Sequence, residues 1–267
     1  MRRRLDAELV RRGLVTGLEA ARAAVASGRV LVAGAPAGNP SSMVAADASL
    51  AVGEPADTFV SRGGHKLAAA LDRFGVDPTG LNTLDAGAST GGFTDCLLQR
   101  GAARVIAIDV GYGDFAWSLR TDARVHVLER TNLRDLTPGD LPFRPALVVA
   151  DLSFMSLAGI LTNLVDLAAE DASFVVLVKP QFEAPRGGVE TKGVVRDPAT
   201  WKAAIERVAV GFADIGVSPV GVMASPLRGK AGNVEFFLYA APGPLATTFD
   251  LGHAIEEGRN VAEGEDR

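Results

Sequence analysis

From Leu81 onward, short runs of apolar residues alternate with stretches of helical periodicity. Strands that are apolar along their whole length and separated by helices are typical of a mostly parallel sheet that helices cover on both faces. The last two runs are joined by a Gly-rich loop too short for a parallel crossover, so the last strand should be antiparallel. We therefore predict an α/β domain with a seven-stranded, mostly parallel sheet, built from these runs: NTLDAGA, RVIAIDV, RVHVLE, PALVVAD, SFVVLVKP, VGVMASP and NVEFFLYA.

The first 53 residues follow a different pattern. LDAELVRR at 5–12 and LEAARAAVAS at 18–27 predict two short helices, each followed by a glycine suited to a left-handed C-terminal cap. Apolar runs from Val30 and at 48–52 predict a small sheet. We predict the following division of the chain: a small α+β module at 1–53, a linker at 54–60, the α/β domain at 61–243 and an acidic tail with a frayed helix at 244–267.

The charge of the chain is unevenly distributed. Residues 1–30 hold seven arginines against three acidic residues, a formal charge of +4, whereas the whole chain carries −5. An acidic protein with one basic end can bind an anionic polymer through that end. An arginine-rich helix face that is only solvated would give the same count, so charge alone leaves both interpretations open.

Composition excludes several classes of protein. The single cysteine, Cys96, rules out an internal disulfide framework and a cysteine-built zinc site, and three scattered histidines predict no metal centre. The N-terminal residues lack the apolar core of a signal peptide, and no run of about 18 uncharged apolar residues is present to span a bilayer. We expect a soluble cytoplasmic protein without a membrane partner.

The first predicted strand of the α/β domain runs directly into a glycine-containing loop, 87–92, and then a helix. Glycines allow a ligand to approach the backbone, and a helix start presents free N–H groups. Asp109 ends the next strand, where an acidic residue can accept hydrogen bonds from ribose hydroxyls. Asp85 precedes the glycines and suits a cationic ligand better than a pyrophosphate. The pattern favours S-adenosylmethionine over a nicotinamide dinucleotide, and the plain alternative is a tight turn beside a surface aspartate.

Two further strands end in ionisable residues, Asp151 and Lys179. In doubly wound sheets, residues at the carboxyl ends of the strands face the same crevice. A lysine that closes an apolar strand loses hydration, which favours its neutral form, and a neutral lysine can act as a general base. Taken singly, Asp151 could cap a helix, and the stem of Lys179 could run along apolar surface to solvent.

The residues around these positions limit which chemical group can be the methyl acceptor. Asp151 is followed by Leu152-Ser153-Phe154, which is not the Pro-Pro-aromatic turn with which amino-group methyltransferases hold a planar nitrogen. Cys96 falls within the helix after the glycine loop, a poor place for the nucleophile of a carbon-directed enzyme. A hydroxyl acceptor remains.

Eight motifs, in order along residues 4–241, resemble those of the bacterial TlyA, or haemolysin-A-like, family of ribosomal RNA 2′-O-methyltransferases. The motifs are SRGGHKL (61–67), LDAGASTGGFTD (84–95), IDVGYGDFAWSLR (108–120), LERTNLRDL (128–136), VVADLSFMSL (148–157), VLVKPQFE (176–183), KGVVRDP (192–198) and ASPLRGKAGNVEFFL (224–238). The resemblance implies an S-four-type RNA-binding module followed by an FtsJ-type, Rossmann-like class I methyltransferase domain. It also implies S-adenosylmethionine as the cofactor. The implied partner is ribosomal RNA in ribosomal subunits, with cytidine as the target.

The resemblance implies a catalytic tetrad in which Lys179 takes the proton from a ribose 2′-hydroxyl. Lys66 would favour the neutral form of Lys179 and stabilise the alkoxide, and two acidic residues, Asp151 and Glu235, would orient the lysines. Expected cofactor contacts are Asp85, Gly87, Ser89, Thr90, Gly91, Asp109, Val110, Asn132 and Phe154, with core packing as the alternative for Phe154. Expected RNA contacts are Arg4, Arg22, Arg62 and Arg130, with Arg228 as a further basic candidate.

One position departs from the family pattern. Its RNA-binding module has a Ser-Arg pair at the start of the second helix, where this chain has Gly17-Leu18. The individual RNA contacts of the module therefore stay open. Two other functions also remain as alternatives: a membrane-active haemolysin, which no amphipathic basic helix supports, and a non-catalytic ribosome-assembly factor, against which the complete tetrad argues.

Overall fold

A computed structural model describes residues 2–26, 28–53, 58–183, 193–244 and 249–264. The chain divides into two compact units, Met1–Thr58 and Phe59–Arg267. The linker predicted at 54–60 lies largely outside the described residues. No helix in the described ranges combines the length and the apolar character needed to cross a membrane.

The first unit contains two helices and short strands. Its elements are β1 (Arg2–Arg4), α1 (Leu5–Arg11), α2 (Leu18–Ala26), β2 (Val30–Val32), β3 (Ala35–Pro36), β4 (Met43–Ala45) and β5 (Leu50–Val52). Strands β3, β2 and β5 form an antiparallel sheet in that order, and β1 pairs with β4. The helices lie where periodicity predicted them, and Gly13 and Gly28 after them have φ of 69° and 71°, which the left-handed cap requires.

Strand β1 was not predicted from the sequence. Arg2, Arg3 and Arg4 are all exposed and carry no apolar alternation. Their strand conformation comes from backbone pairing with β4, in which Arg3 lies opposite Val44. A strand held by its ladder rather than by an apolar face leaves no signal in the side-chain pattern.

The second unit alternates strands and helices. Its elements are α3 (Arg62–Phe74), β6 (Asn82–Ala86), α4 (Gly92–Gln99), β7 (Arg104–Ile108), α5 (Trp117–Arg120), β8 (Val125–Leu128), β9 (Leu147–Ala150), α6 (Leu161–Leu167), β10 (Ser173–Val178), α7 (Pro180–Glu183), α8 (Pro198–Asp214), β11 (Ser218–Ala224), β12 (Phe236–Ala241) and α9 (Leu251–Glu263). Helices follow most of the strands, but β11 leads directly into β12 without a helix between them.

The described strands of this unit form a seven-stranded sheet in the order β11-β12-β10-β9-β6-β7-β8. Strands β8, β7, β6, β9 and β10 are parallel to one another, and β12 is antiparallel to both β10 and β11. The predicted α/β fold, with seven strands and an antiparallel last strand, is confirmed. Chain order reverses between β6 and β9, which end together because Ala86 pairs with Ala150. In such sheets this switch point is where ligands bind.

The C-terminal segment differs from the prediction of a tail with a frayed helix. Helix α9 begins after Asp250, whose carboxylate accepts a hydrogen bond from the His253 N–H (2.9 Å), and Ala254 is fully buried. A Cβ on Gly258 would lie 2.9 Å from the Phe236 ring and 3.3 Å from Trp201. The helix therefore packs against the core through small residues that allow close approach, with partly buried apolar side chains beside them.

Candidate active site

The loop between β6 and α4 follows a strained path. Gly87 and Gly91 have φ of 87° and 95°, and Ser89 adopts φ of 48° despite its side chain. A Cβ on Gly87 would lie 2.6 Å from the backbone oxygen of Asp151, and one on Gly91 would collide with Leu119. Glycine is therefore required because protein groups press on the loop. Thr90 holds its far side, since its carbonyl accepts a hydrogen bond from the Ala116 N–H (3.2 Å).

Asp109, at the end of β7, lies beside the glycine loop. Its carboxylate accepts hydrogen bonds from the backbone N–H groups of Ser89 (2.8 Å) and Gly111 (2.6 Å). Each carboxylate oxygen has a second lone pair that can still accept a hydrogen bond from a ligand. The neighbouring candidates Val110 and Asn132 are exposed on the loops after β7 and β8, and Asn132 begins a 3₁₀ turn by accepting the Arg134 N–H (3.1 Å).

Asp85 is more deeply buried than expected for a residue that contacts a ligand. It was predicted to face a cationic ligand, but its side chain has no exposed surface and lies below the glycine loop. Thr94 donates a hydrogen bond to Oδ2 (2.7 Å), and Oδ1 has no hydrogen-bond partner among the described residues. Burial raises the pKa of Asp85 to about 7, and the negative charge of Asp151 adds to the increase. Thr94 was not singled out in the sequence, because one threonine in a helix carries no such signal.

Lys66 and Glu235 form a buried ion pair. Helix α3 places Lys66 beside the residue that precedes β12, with 2.6 Å between Nζ and the Glu235 Oε2. Their side chains are 9% and 4% exposed. Gly229 lies against the Glu235 carboxylate so closely that a Cβ there would collide with it. Charges buried to this extent are costly unless paired, so each residue depends on the other.

Lys179 and Asp151 form a second ion pair, which is more open to solvent. Lys179 Nζ lies 2.6 Å from the Asp151 Oδ1, although the angles of this contact are not those of a hydrogen bond. The ammonium instead donates a hydrogen bond to the Ser153 hydroxyl (2.9 Å). Lys179 is 10% exposed and Asp151 is 26% exposed, so the pair is partly open to solvent.

The sheet brings the two ion pairs to neighbouring strand ends. In the antiparallel ladder, Val178 of β10 lies opposite Phe236 of β12, so Lys179 and Glu235 are the next positions on the two strands. Opposite residues of such a ladder have Cα atoms about 4.5–5.5 Å apart. Asp151 follows β9, the other neighbour of β10. All four residues of the predicted tetrad are therefore found in two ion pairs at one end of the sheet.

The loop after β9 and helix α7 contact each other through two aromatic rings and through hydrogen bonds to one carboxylate. Phe154 is 93% exposed with φ of 64°, and its ring centre lies 5.6 Å from that of Phe182. The Glu183 carboxylate accepts hydrogen bonds from the Ser156 hydroxyl (2.7 Å) and the Leu157 N–H (2.5 Å). The core-packing alternative for Phe154 is wrong. Ser153, Phe182 and Glu183 were missed, although VKPQFE and DLSFMSL are the motifs that contain them.

The predicted RNA-contacting arginines lie in both units. In the first unit, Arg4 and Arg22 are exposed and lie 2.7 Å and 3.4 Å from the Asp6 carboxylate. In the second unit, Arg62 is exposed at the start of α3, and the Arg130 guanidinium lies 4.1 Å from the centre of the Tyr112 ring. Within the described ranges, no three His, Cys, Asp or Glu side chains are grouped so that they could hold a metal ion.

Comparison with known proteins places these residues in a known sequence context. Residues 59–241 match the model of the FtsJ-like methyltransferases. The chain is 52% identical over 239 residues to the 16S/23S rRNA (cytidine-2′-O)-methyltransferase TlyA of Mycobacterium tuberculosis strain H37Rv, covering 89% of each protein. It is 37% identical over 182 residues to Hemolysin A of Brachyspira hyodysenteriae, covering 68% of this chain and 76% of that protein. A solved structure from Lactococcus lactis is 38% identical with a TM-score of 0.74, covering 76% of this chain and 100% of that one.

Proposed function

The chain belongs to the FtsJ-like methyltransferase family, and on this premise we propose that it methylates the ribose 2′-hydroxyl of a cytidine in ribosomal RNA. The observation that carries the proposal is the placement of two lysine–carboxylate pairs at the switch-point end of the sheet, beside the glycine loop. The relative from Mycobacterium tuberculosis, whose name states this reaction, supports the same acceptor.

The methyl donor is S-adenosylmethionine, which supplies a methyl group on a positively charged sulfonium. The residues around the glycine loop fit such a cation, because the Asp109 carboxylate accepts the Ser89 N–H beside the loop and keeps lone pairs for a ligand, while the buried Asp85 adds a carboxylate that does not contact the donor. A pyrophosphate would instead be repelled by these carboxylates. The residues that would contact the donor are Gly87, Ser89, Thr90, Gly91, Asp109, Val110, Asn132 and Phe154. Asp85, which is fully buried, would act only through its charge.

Lys179 is the general base of the proposed reaction. Its Nζ would accept the proton of the 2′-hydroxyl, and Asp151 and Ser153, both in contact with that nitrogen, would direct it. Asp151, in contact with Lys179, and Lys66, paired with Glu235 at the neighbouring strand end, bring charges of opposite sign to the site. A positioned base of this kind contributes about 10²–10⁴-fold to a rate.

Lys66 stabilises the oxygen from which the proton is taken. Its contact with Glu235 holds the ammonium in place at little exposed surface, so that its field is not screened by solvent. Glu235 also compensates its charge and limits the repulsion between the two lysines.

The first unit is the proposed RNA-binding module, and Arg62 and Arg130 of the second unit are proposed to contact RNA near the crevice. Arginine side chains bind phosphates bidentately, and such contacts recognise the shape and backbone of RNA rather than its sequence. The target nucleotide would leave its stack to enter the crevice, as enzymes that act on nucleotides within folded nucleic acid require.

Methyl transfer to separated, unmethylated ribosomal subunits tests the proposal. Purified protein is incubated with radiolabelled S-adenosylmethionine and each subunit, and the RNA is digested to nucleosides for mass spectrometry. We expect 2′-O-methylcytidine with the wild-type chain and a loss of about 10²–10⁴-fold for Lys179→Ala and Lys179→Arg, since a guanidinium does not lose its proton. Lys202→Ala, which removes an exposed lysine paired with Glu206 in α8, should keep full activity.

Three results would contradict the proposal. Full activity of Lys179→Ala would exclude Lys179 as the base. Binding of both subunits without methyl transfer would favour a non-catalytic assembly factor. Lysis of erythrocytes by wild-type and Lys179→Ala protein alike, without methyl transfer, would favour a haemolysin.

A further inference from the structure

Five arginines of the first unit surround two carboxylates that have no exposed surface. Asp6 and Glu8 lie in α1 and are 1% and 0% exposed. We call the set the arginine cluster; its members are Arg3, Arg4, Arg11, Arg12 and Arg22 with Asp6 and Glu8. The arginine side chains that pair with the two carboxylates are 23–58% exposed, so the cluster lies at the surface of the unit.

Each carboxylate holds one arginine by two parallel hydrogen bonds. Arg4 donates from Nε (3.1 Å) and Nη2 (2.7 Å) to Asp6, and Arg11 donates from Nε (2.8 Å) and Nη2 (2.6 Å) to Glu8. Arg22 also reaches Asp6 (3.4 Å). These contacts lower the pKa of Asp6 and of Glu8 to about 2, so both carboxylates are ionised at neutral pH.

The two-point contact leaves part of each guanidinium available. A guanidinium has five N–H donors, and a contact through Nε and Nη2 leaves the Nη1 edge for a second ligand. Arg4 and Arg11 are each 50% exposed, so that edge reaches solvent. Arg12 differs, because it also donates to the carbonyls of Ala48 (2.8 Å) and Ala46 (2.9 Å) and is bound within the unit.

We propose that Asp6 and Glu8 are positioning residues for RNA binding, which fix the guanidinium groups of Arg4 and Arg11 in orientations that can donate hydrogen bonds to phosphates. The inference rests on the proposed RNA-binding function of this unit. A long side chain loses rotamer freedom on binding, and a side chain that is already held loses less. Two negative charges can therefore strengthen binding to a negatively charged polymer, because the five arginines outnumber the two carboxylates and the cluster stays positive while Arg4 and Arg11 are held in place.

Substitution of Glu8 by glutamine tests the inference, because charge and orientation predict opposite results. Glu8→Gln makes the unit more positive by one charge, so charge alone predicts tighter binding. Loss of the two-point contact predicts weaker binding instead. The KM of Glu8→Gln should rise about tenfold for the ribosomal subunit that the wild-type chain methylates, with kcat unchanged. A tenfold rise corresponds to the cost of ordering one or two arginine side chains on binding.

Two controls separate orientation from charge and from folding. Glu19→Gln makes the same change of charge in the same unit, at an exposed residue for which the described residues contain no ion pair, and should lower KM slightly or leave it unchanged. In an Arg11→Lys background, Glu8→Gln should have an effect below about twofold, because the residue through which it acts is already changed. Loss of the folded unit would lower kcat by reducing the active fraction.

The outcomes separate this inference from the proposed function. A KM for Glu8→Gln at or below that of the wild type, as for Glu19→Gln, would overturn the inference while leaving methyl transfer intact. Additive effects of Glu8→Gln and Arg11→Lys would overturn it as well. If circular dichroism shows that Glu8→Gln misfolds, Asp6→Asn gives the same test through Arg4. Absence of any methyl transfer by the wild-type chain would instead refute the proposed function.

Discussion

Replacing Asp85 by asparagine should remove a penalty on stability that grows with pH. The Asp85 carboxylate is fully buried, accepts one hydrogen bond from Thr94 and has an Oδ1 without a hydrogen-bond partner among the described residues. Asparagine has nearly the same shape and keeps an oxygen for Thr94, so it imitates the protonated form of Asp85. The substitution therefore changes the charge with little change in packing.

The magnitude follows from the pKa of Asp85, which burial raises from 3.8 to about 7. Because the folded-state pKa is above the unfolded one, ionisation disfavours the folded state. The wild-type protein is most stable with respect to this group below pH about 4, loses stability up to pH about 7 and stays at the lower value above it. At about 1.4 kcal/mol per pKa unit, the penalty reaches about 4 kcal/mol. Between pH 5 and pH 8 it grows by about 2–3 kcal/mol.

Urea unfolding at several pH values measures this penalty. Both tryptophans, Trp117 and Trp201, lie in the second unit and report its unfolding by fluorescence. The free energy of unfolding of Asp85→Asn minus that of the wild type should increase by about 2–3 kcal/mol from pH 5 to pH 8. Asp171→Asn, an exposed substitution, should follow the wild type at each pH. A difference for Asp85→Asn that stays constant over this range would refute the assignment of a raised pKa to Asp85.

Three further predictions concern the stability of the two units. Lys66→Met leaves the buried Glu235 without its cation and should destabilise the second unit by about 3–5 kcal/mol in urea unfolding; adding Glu235→Leu should restore most of the stability but no methyl transfer. Gly258→Ala places a Cβ 2.9 Å from the Phe236 ring and should lower stability by about 1–3 kcal/mol, whereas Gly252→Ala, 3.5 Å from its nearest neighbour, should not. The pKa of Asp6 is lowered to about 2, so its stabilising effect on the first unit is complete above pH about 4 and is lost as pH falls toward 2. Circular dichroism should show acid unfolding between pH about 4 and pH about 2. The Asp6→Asn variant should depend less on pH over that range.

The predicted elements were accurate where the determinant is local. The strands of the large sheet were found because an apolar run such as SFVVLV, now β10, is buried on both faces whatever its neighbours are. The helices of the first unit were found because their apolar residues recur at helical spacing, and Gly13 and Gly28 mark their ends. Helix α9 was underestimated because its close packing at Gly258 depends on Phe236 and Trp201, which are distant in sequence.

The candidate site was predicted in part from the same local pattern. Asp151 and Lys179 stand where apolar strands end, and that position alone directed attention to them. Lys66 and Glu235 carry no such signal, and only their place in motifs shared with a family indicated them. Ser153 and Glu183 were missed, since a hydrogen-bonding role depends on what lies opposite in the fold.

The sequence by itself determined the alternation of strands and helices and the antiparallel last strand, because each depends on periodicity or loop length within a short stretch of chain. The tertiary structure decided which charges meet and which are buried. Lys66 and Glu235 are 169 residues apart in the chain and 2.6 Å apart in space, and Asp85 lies below the loop that it was expected to line. Burial and pairing depend on groups distant in sequence, and those groups set the free energy of a charge.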